Sequence, residues 1–308
     1  LDYIGSDASM DWDERVVQYA EQGFKVNPNN IQVVGGEFDQ DGFMTSGEVR
    51  TEFLYVASRA NQKETEIDDI SLHLKYTPTD NLTIDFDYQR IDSTNSIKDY
   101  TYSSQQKPTD AAWFTNDGIT DRPEQQIWNT GVEFDLNGSV PHNINYTGDN
   151  ANPQFPEQAF IRSRMDKEED NEADSNAFAI DLKYTIDDGW ISAVKAGVYS
   201  SEKEQLSRDS LWNWGAVSSK WGNGYAINLQ NHPEYYESYT FSQKDFFDGD
   251  VLNGDQTFWF PKMSNVHNFR AFTDEICEQS LSCNRLGERE NTTGSYLDSE
   301  IIETTEDR

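Results

Sequence analysis

Aromatic side chains are the residues of this chain whose type and spacing most clearly suggest chemistry. The sequence contains 8 Trp, 15 Tyr and 17 Phe, and several stand in polar stretches beside Asn, Asp and Arg. An aromatic ring stacks on the apolar C–H face of a sugar while neighbouring polar side chains bond the hydroxyls. We therefore predict a site for a bulky ligand such as an oligosaccharide, formed by Trp113, Trp128, Trp212, Trp214, Trp221 and Tyr225.

Trp212 and Trp214 are the first candidates within this set. Side chains two residues apart lie on the same face of an extended strand, so the two indoles can form one surface. One alternative stays open, because aromatic residues in long polar segments can also build small hydrophobic cores that keep those segments ordered.

Two acidic stretches could be considered as metal sites. Six carboxylates lie between Met165 and Asp174, and Asp39, Asp41 and Gly42 resemble the beginning of a calcium loop. The second stretch lacks the acidic residue that such a loop needs at its twelfth position. We predict solvated carboxylates at both places, with no bound metal and no cofactor.

The residues needed for catalysis are not grouped in any recognisable motif. The four His residues are scattered, and the sequence has no metalloprotease, nucleophile-elbow or phosphate-loop pattern. The chain is predicted not to be an enzyme. A glycan-degrading enzyme stays open as a lesser alternative, since carboxylates are too abundant for any pair to be singled out.

The two cysteines, Cys277 and Cys283, are separated by five residues in a polar stretch. No neighbouring Cys or His pair could complete a zinc site. We predict a small loop disulfide, which is typical of an oxidising compartment, with two free thiols as the alternative.

Composition limits the classes of protein and partner. The chain is 35% hydrophobic and 26% charged with a mean hydropathy of −0.83, which argues against one large compact core. Its aromatic content argues equally against disorder. The formal net charge of −32 would repel a phosphate backbone, so nucleic acid is excluded as a partner.

Two segments alternate apolar and polar residues with a period of two, and each is interrupted by a tight turn. The first runs through residues 70–77, turns at 78–81 and returns through 82–89; the second runs through 178–185, turns at 187–189 and returns through 194–199. Both are predicted to be β-hairpins with one apolar and one polar face. The polar face would hold His73, Lys75, Asp85, Asp87, Asp181 and Lys183.

The hairpin arms have the length of strands that cross a bilayer, about nine to eleven residues. Tyr76, Tyr88, Tyr184 and Trp190 lie near the arm ends, where membrane barrels place aromatic girdles. Soluble antiparallel sheets with one wet face show the same alternation. Loop asymmetry favours the membrane interpretation, because short turns close one end and long connections leave the other.

The predicted fold class is therefore all-β, part of a transmembrane antiparallel β-barrel with long extracellular loops that contain short helices. The expected segments are an extracellular segment over residues 1–60, barrel hairpins over 61–95 and 175–206, extracellular loops over 96–174 and 207–298, and the beginning of another strand over 299–308. A short helix is expected from about Trp12 to Gln22. No apolar run approaches the roughly twenty residues of a membrane helix.

Several stretches resemble the long-looped members of the TonB-dependent outer-membrane receptors. They are residues 69–82, 134–138, 177–184, 194–200, 212–215 and 246–250. The resemblance covers roughly residues 55–308 and also matches in the order of the stretches. The chain begins at Leu1 without a signal sequence, so an internal fragment of a longer receptor is expected.

The resemblance implies a plugged barrel of roughly 22 strands in the bacterial outer membrane, with loops facing the cell exterior. Such receptors import a scarce nutrient with energy relayed by TonB through the plug domain. Expected partners are thus an oligosaccharide or other bulky nutrient, the TonB system and outer-membrane lipid. Many of the long-looped kind look like oligosaccharide receptors; a siderophore or haem receptor is a lesser expectation.

A soluble, secreted β-sandwich that binds carbohydrate is the main competing hypothesis. The two hairpins distinguish the hypotheses. A sandwich would bury their apolar faces against each other, whereas a barrel would leave both in one exposed band.

Overall fold

A computed structural model describes most of the chain. The described residues are 1–20, 31–51, 53–106, 130–137, 142–147, 159–187, 189–218, 226–241, 256–280, 283 and 296–308. The structure is mostly antiparallel β-sheet, which confirms the all-β class. No helix in these ranges is long and apolar enough to cross a membrane.

The largest sheet contains seven antiparallel strands. Six of them follow the order β1-β4-β5-β8-β9-β13, and β10 pairs with β8 beyond the end of β9. The strands are β1 (Asp2–Ala20), β4 (Phe53–Thr79), β5 (Leu82–Gln106), β8 (Ala159–Thr185), β9 (Ala193–Asp209), β10 (Asn213–Ala216) and β13 (Ile301–Asp307).

Two smaller sheets and two helices complete the described part. A four-stranded sheet consists of β2 (Ile31–Phe38), β3 (Met44–Thr51), β6 (Thr130–Asp135) and β7 (His142–Thr147). A two-stranded sheet pairs β11 (Tyr236–Phe241) with β12 (Gln256–Pro261), and the helices are α1 (Met263–His267) and α2 (Phe269–Gln279).

The two predicted hairpins are four neighbouring strands of the large sheet, β4-β5 and β8-β9, and β13 begins close to the predicted final strand. The strands are longer than predicted: β4 and β8 have 27 residues each and β5 has 25. At about 3.3 Å per residue they reach roughly 80–90 Å. Residues 53–60, 96–106 and 159–174, which we expected in loop segments, therefore belong to strands.

The helix expected from Trp12 is wrong for residues 12–20. These residues continue β1, which pairs with β4 from Asp2 to Ala20 without a register shift. Hydrogen bonds along this ladder, and the β-branched Val16 and Val17, outweigh a weak local helix preference.

Unbroken pairing gives the large sheet two well-defined faces. From Leu54 to Tyr76 the β4–β5 register is continuous, so alternate side chains stay on one face throughout. Row by row, Leu74 lies beside Phe86, Phe86 beside Ile180, and Ile180 beside Val198. We call this side the band face and the other side the reverse face.

An apolar band occupies the turn-proximal end of the band face. Its large side chains on β4, β8 and β9 are 38–60% exposed: Leu72, Leu74, Tyr76, Phe178, Ile180, Leu182, Tyr184, Val194 and Val198. Ile84, Phe86 and Tyr88 of β5 fill the rows between them. The hairpins' apolar faces thus lie side by side within one sheet.

A helix module, consisting of β11, β12, α1 and α2, packs on the other end of the band face. Phe269 of α2 stacks on Tyr100 with ring centroids 4.6 Å apart, and Phe272 meets Tyr102 edge to face. The buried Tyr102 hydroxyl donates to the Phe269 carbonyl at 3.0 Å. Cys277 and Cys283 form a disulfide at the end of α2, the pairing favoured by their spacing.

Phe269→Ala should lower the free energy of unfolding by about 3–5 kcal/mol, because it removes a buried ring and leaves a cavity against Tyr100 and Tyr102. Chemical denaturation, in whichever medium the chain folds, measures the change. Glu278→Ala, at an exposed position of the same helix, is the control and should change the value by less than about 0.5 kcal/mol. Equal effects of the two changes would contradict this packing.

Candidate functional site

The structure describes two of the six predicted aromatic residues. Trp212 and Trp214 are 51% and 59% exposed. Trp113, Trp128, Trp221 and Tyr225 lie outside the described residues, so their grouping with these two stays a prediction.

A bulge between β9 and β10 determines where the two indoles lie. Asp209 pairs with Glu169 and Asn213 pairs with Asp166. Three residues, 210–212, therefore lie opposite only two residues of β8, 167 and 168. Leu211 within this bulge has a φ of 53°, a left-handed conformation that costs a leucine about 1–2 kcal/mol. The Ser210 hydroxyl supports the bulge by accepting the Glu168 N–H at 2.7 Å.

The bulge places Trp212 and Trp214 on the reverse face. Trp214 pairs with Met165, whose side chain lies on the reverse face. A regular continuation of β9 would have placed both indoles on the band face, because even-numbered β9 residues such as Arg208 lie there beside Glu172. Bulges commonly re-aim side chains in this way near functional sites.

An ion pair on the reverse face lies next to Trp212. The Arg59 guanidinium donates twice to the buried Asp99 carboxylate, at 2.7 and 2.5 Å, and once to Glu14 at 3.2 Å. These hydrogen bonds raise the pKa of Arg59, and the hydrogen bond to Asp99 has the largest effect. The guanidinium therefore stays charged.

Trp212 stacks near two cations of this cluster. Its ring centroid lies 5.5 Å from Arg59 Cζ and 5.8 Å from Lys167 Nζ, within the range of a cation–π interaction. Lys167 is itself paired with Glu169, and this hydrogen bond raises the pKa of Lys167. We call Glu14, Arg59, Asp99, Lys167, Glu169 and Trp212 the Trp212 cluster.

Two buried oxygens beside the cluster have no hydrogen-bond partner within the described part of the chain. They are Asn61 Oδ1 and Thr101 Oγ1, and both residues are more than nine-tenths buried. Asn61 pairs with Asp99, and Thr101 pairs with Arg59. Buried polar atoms are normally satisfied, so these two oxygens are exceptions, and their burial keeps them out of contact with a ligand on the sheet surface.

A second aromatic–cation contact lies further along the reverse face. Arg162 Cζ is 5.4 Å from the centroid of the Tyr55 ring, and its Nη1 donates to Gln105 at 3.1 Å. Burial lowers the pKa of Arg162. The far end of the reverse face therefore combines rings, cations and amides, which together suit hydroxyl-rich ligands.

The acidic stretches show no metal-binding arrangement. Among the described residues no group of three His, Cys, Asp or Glu side chains could hold a metal ion. Asp39 instead stabilises the turn between β2 and β3, where its Oδ1 accepts the N–H groups of Asp41 and Phe43 at 2.9 and 2.8 Å. In β8, five of the six acidic residues of 165–174 lie on the band face, and only Glu169 lies on the reverse face.

The polar residues predicted opposite the apolar band do lie on the reverse face. His73 Nδ1 is 2.6 Å from Asp87 Oδ1, and Lys75 Nζ is 3.8 Å from Asp85. The sequence did not single out Arg59, Asn61, Asp99, Thr101 or Lys167, because only the pairing of distant strands brings them to Trp212.

Comparison with known proteins gives no identification: no family model matches the chain, and no curated protein or solved structure is significantly similar to it.

Asp99→Asn should lower the free energy of unfolding by about 1–3 kcal/mol, because it leaves Arg59 without its buried counter-charge. Glu14→Gln removes the more exposed partner of the same guanidinium and should cost less than about 1 kcal/mol. Urea denaturation of both variants provides the comparison. An Asp99→Asn chain as stable as the unchanged chain would show that the pair contributes little.

Proposed function

We propose that this chain forms part of the wall and the outward extension of an outer-membrane β-barrel receptor of the TonB-dependent type. Its band face would meet lipid and its reverse face would line the barrel interior. The receptor would bind an oligosaccharide near Trp212 and Trp214 and import it with energy from TonB, delivered through a plug domain. In this proposal the chain is a transport protein and not an enzyme.

The exposed apolar band is the observation that carries the proposal. From Leu82 to Tyr88 the band spans roughly 20 Å along β5 at about 3.3 Å per residue, close to the roughly 25 Å apolar zone of outer-membrane barrels. Tyr76 and Tyr184 lie at one border, and Tyr88 and Phe178 at the other. The large band side chains on β4, β8 and β9 are 38–60% exposed, and their exposure is unfavourable in water and favourable in lipid.

The sheet arrangement supports a barrel over the secreted sandwich. A sandwich would require the two hairpins in facing sheets, whereas β4, β5, β8 and β9 are hydrogen-bonded neighbours in one sheet. Closure requires further strands beside β1 and β13, because an open edge of this length would be a site of unspecific pairing.

The position of the Trp212 cluster suits a receptor that captures its ligand outside the membrane. Asp99 lies eleven residues beyond Tyr88 on β5, roughly 36 Å further along the strand. A ligand bound there would lie on the inward side of the extended wall, above the band. It could then pass along the reverse face toward the barrel interior.

Folding of the 308-residue chain should depend on micelles. We expect native β content by circular dichroism in lauryldimethylamine oxide micelles, and aggregation in plain buffer, because the apolar band needs an apolar solvent. A monodisperse, cooperatively folding chain in plain buffer would rule out the membrane proposal.

Leu74→Lys tests the lipid-facing assignment directly. The charge would enter the middle of the band and should destabilise the micelle-folded state by about 2–4 kcal/mol. His73→Lys is the matched control, since His73 lies at the same height on the reverse face beside Asp85 and Asp87; it should be nearly neutral. Equal effects would contradict the assignment of faces.

A further inference from the structure

We propose that the Trp212 cluster selects uncharged oligosaccharides over acidic or basic ones. This inference rests on the proposed function, in which the reverse face lines the path of the ligand, and it adds the chemical class of that ligand. It follows from the distribution of charge over the two faces of the sheet and from the pairing of charges inside the cluster.

The acidic charge of the large sheet is concentrated on the band face. Between the apolar band and the helix module, that face carries nine carboxylates on four neighbouring strands: Glu64, Glu66, Asp68, Asp92, Asp170, Glu172, Asp174, Glu202 and Glu204. Two cations of that face, Arg90 and Arg208, are paired with some of these carboxylates. Over the same stretch of these four strands the reverse face carries one carboxylate, Asp69, and one cation, Lys203.

Besides Ile67 and Ile91, neutral polar and small side chains make up most of the reverse face of this stretch. They include Thr65, Ser93, Asn95, Asn171, Ala173, Ser175, Ser201, Gln205 and Ser207. Hydroxyl and amide groups exchange hydrogen bonds with a sugar without a net charge interaction. A path lined in this way suits a neutral, hydroxyl-rich solute.

Charge pairing in the Trp212 cluster disfavours an anionic ligand. Arg59 is held by Asp99 and Glu14, and Lys167 is held by Glu169. A carboxylate or sulfate group would have to compete with these pairs for Arg59 and Lys167. It would also be repelled by the three acidic side chains of the cluster, which outnumber the two cations. Its approach is further opposed by the formal net charge of −32.

A cationic ligand is disfavoured for a different reason. Arg59 and Lys167 lie within 6 Å of the Trp212 ring, and the three acids of the cluster are already paired with them. An amino sugar stacked on that ring would therefore be close to two like charges. A neutral pyranose has neither conflict. Its C–H face can stack on the exposed indoles of Trp212 and Trp214, which lie roughly 7 Å apart along the strand.

Hydrogen-bonding groups near the indoles can bind the hydroxyls of such a ring. Glu14, Arg59 and Lys167 are partly exposed at the rim. The Glu14 carboxylate can accept hydrogen bonds there, and the Arg59 and Lys167 side chains can donate them. The cluster therefore offers acceptors as well as donors, as hydroxyl groups require.

The test is a titration of the micelle-folded chain by isothermal calorimetry. The neutral probes are the hexamers of maltose-, cellulose-, xylan- and chitin-type chains; oligogalacturonate is the acidic probe and the chitosan hexamer the basic one. The detergent must carry no sugar headgroup, since a maltoside would itself be a ligand. We expect binding of at least one neutral probe, at least tenfold tighter than either charged probe.

Variants connect this binding to the Trp212 cluster. Trp212→Ala and Trp214→Ala should each weaken binding of that neutral probe by about tenfold or more, as loss of a central aromatic anchor usually does. Trp190→Ala is the control, because Trp190 is 95% exposed near the β8–β9 turn at the opposite end of the sheet; it should change affinity by less than about twofold.

The inference is overturned if no neutral probe binds, if a charged probe binds as tightly, or if the Trp212 and Trp214 variants bind like the unchanged chain. These readouts are separate from the membrane test. A chain that folds only in micelles but fails the titration refutes the ligand class alone. A chain that folds in plain buffer refutes the membrane proposal whatever it binds.

Discussion

Continuous antiparallel pairing of β4, β5 and β8 is the constraint on which the rest of the structure depends. Because β4 and β5 stay in one register from Leu54 to Tyr76, the alternation of side chains is carried without a phase change over their whole length. The sheet can therefore combine an apolar zone, an acidic zone and a module-packing zone on one face. The other face carries most of its polar side chains opposite the apolar band and the aromatic residues Tyr55, Trp212 and Trp214 further along the strands.

Irregularities in this pairing coincide with the features of functional interest. The register shifts between Ser103 and Ser104 where β5 meets β8, close to the Arg162 contact with Tyr55. The bulge at Leu211 brings Trp212 to the ion pair of Arg59 and Asp99. Regular strand pairing builds the sheet, and the bulges within it orient the side chains that could bind a ligand.

The sequence predicts much of the frame and little of the site. Alternation between Ile70 and Tyr88, and between Phe178 and Tyr199, identifies the hairpins and their two faces because a period of two is a local signal. The outward halves of the strands lack that signal, since charged and polar residues occur on both sides of the alternation, for example Glu66 and Glu172 on the band face and Asn95 on the reverse face. The site depends on register between strands that are distant in the sequence, which composition does not encode.

The position of the helix module has a consequence for how such molecules would share a membrane. It projects from the same face as the apolar band, about 40 Å further along the strands from Tyr88 to Tyr100. In the proposed barrel, the cross-section would thus be widest well away from the bilayer. Neighbouring molecules would collide at their modules before their bands could touch, so a shell of lipid would persist around each one even in a crowded membrane.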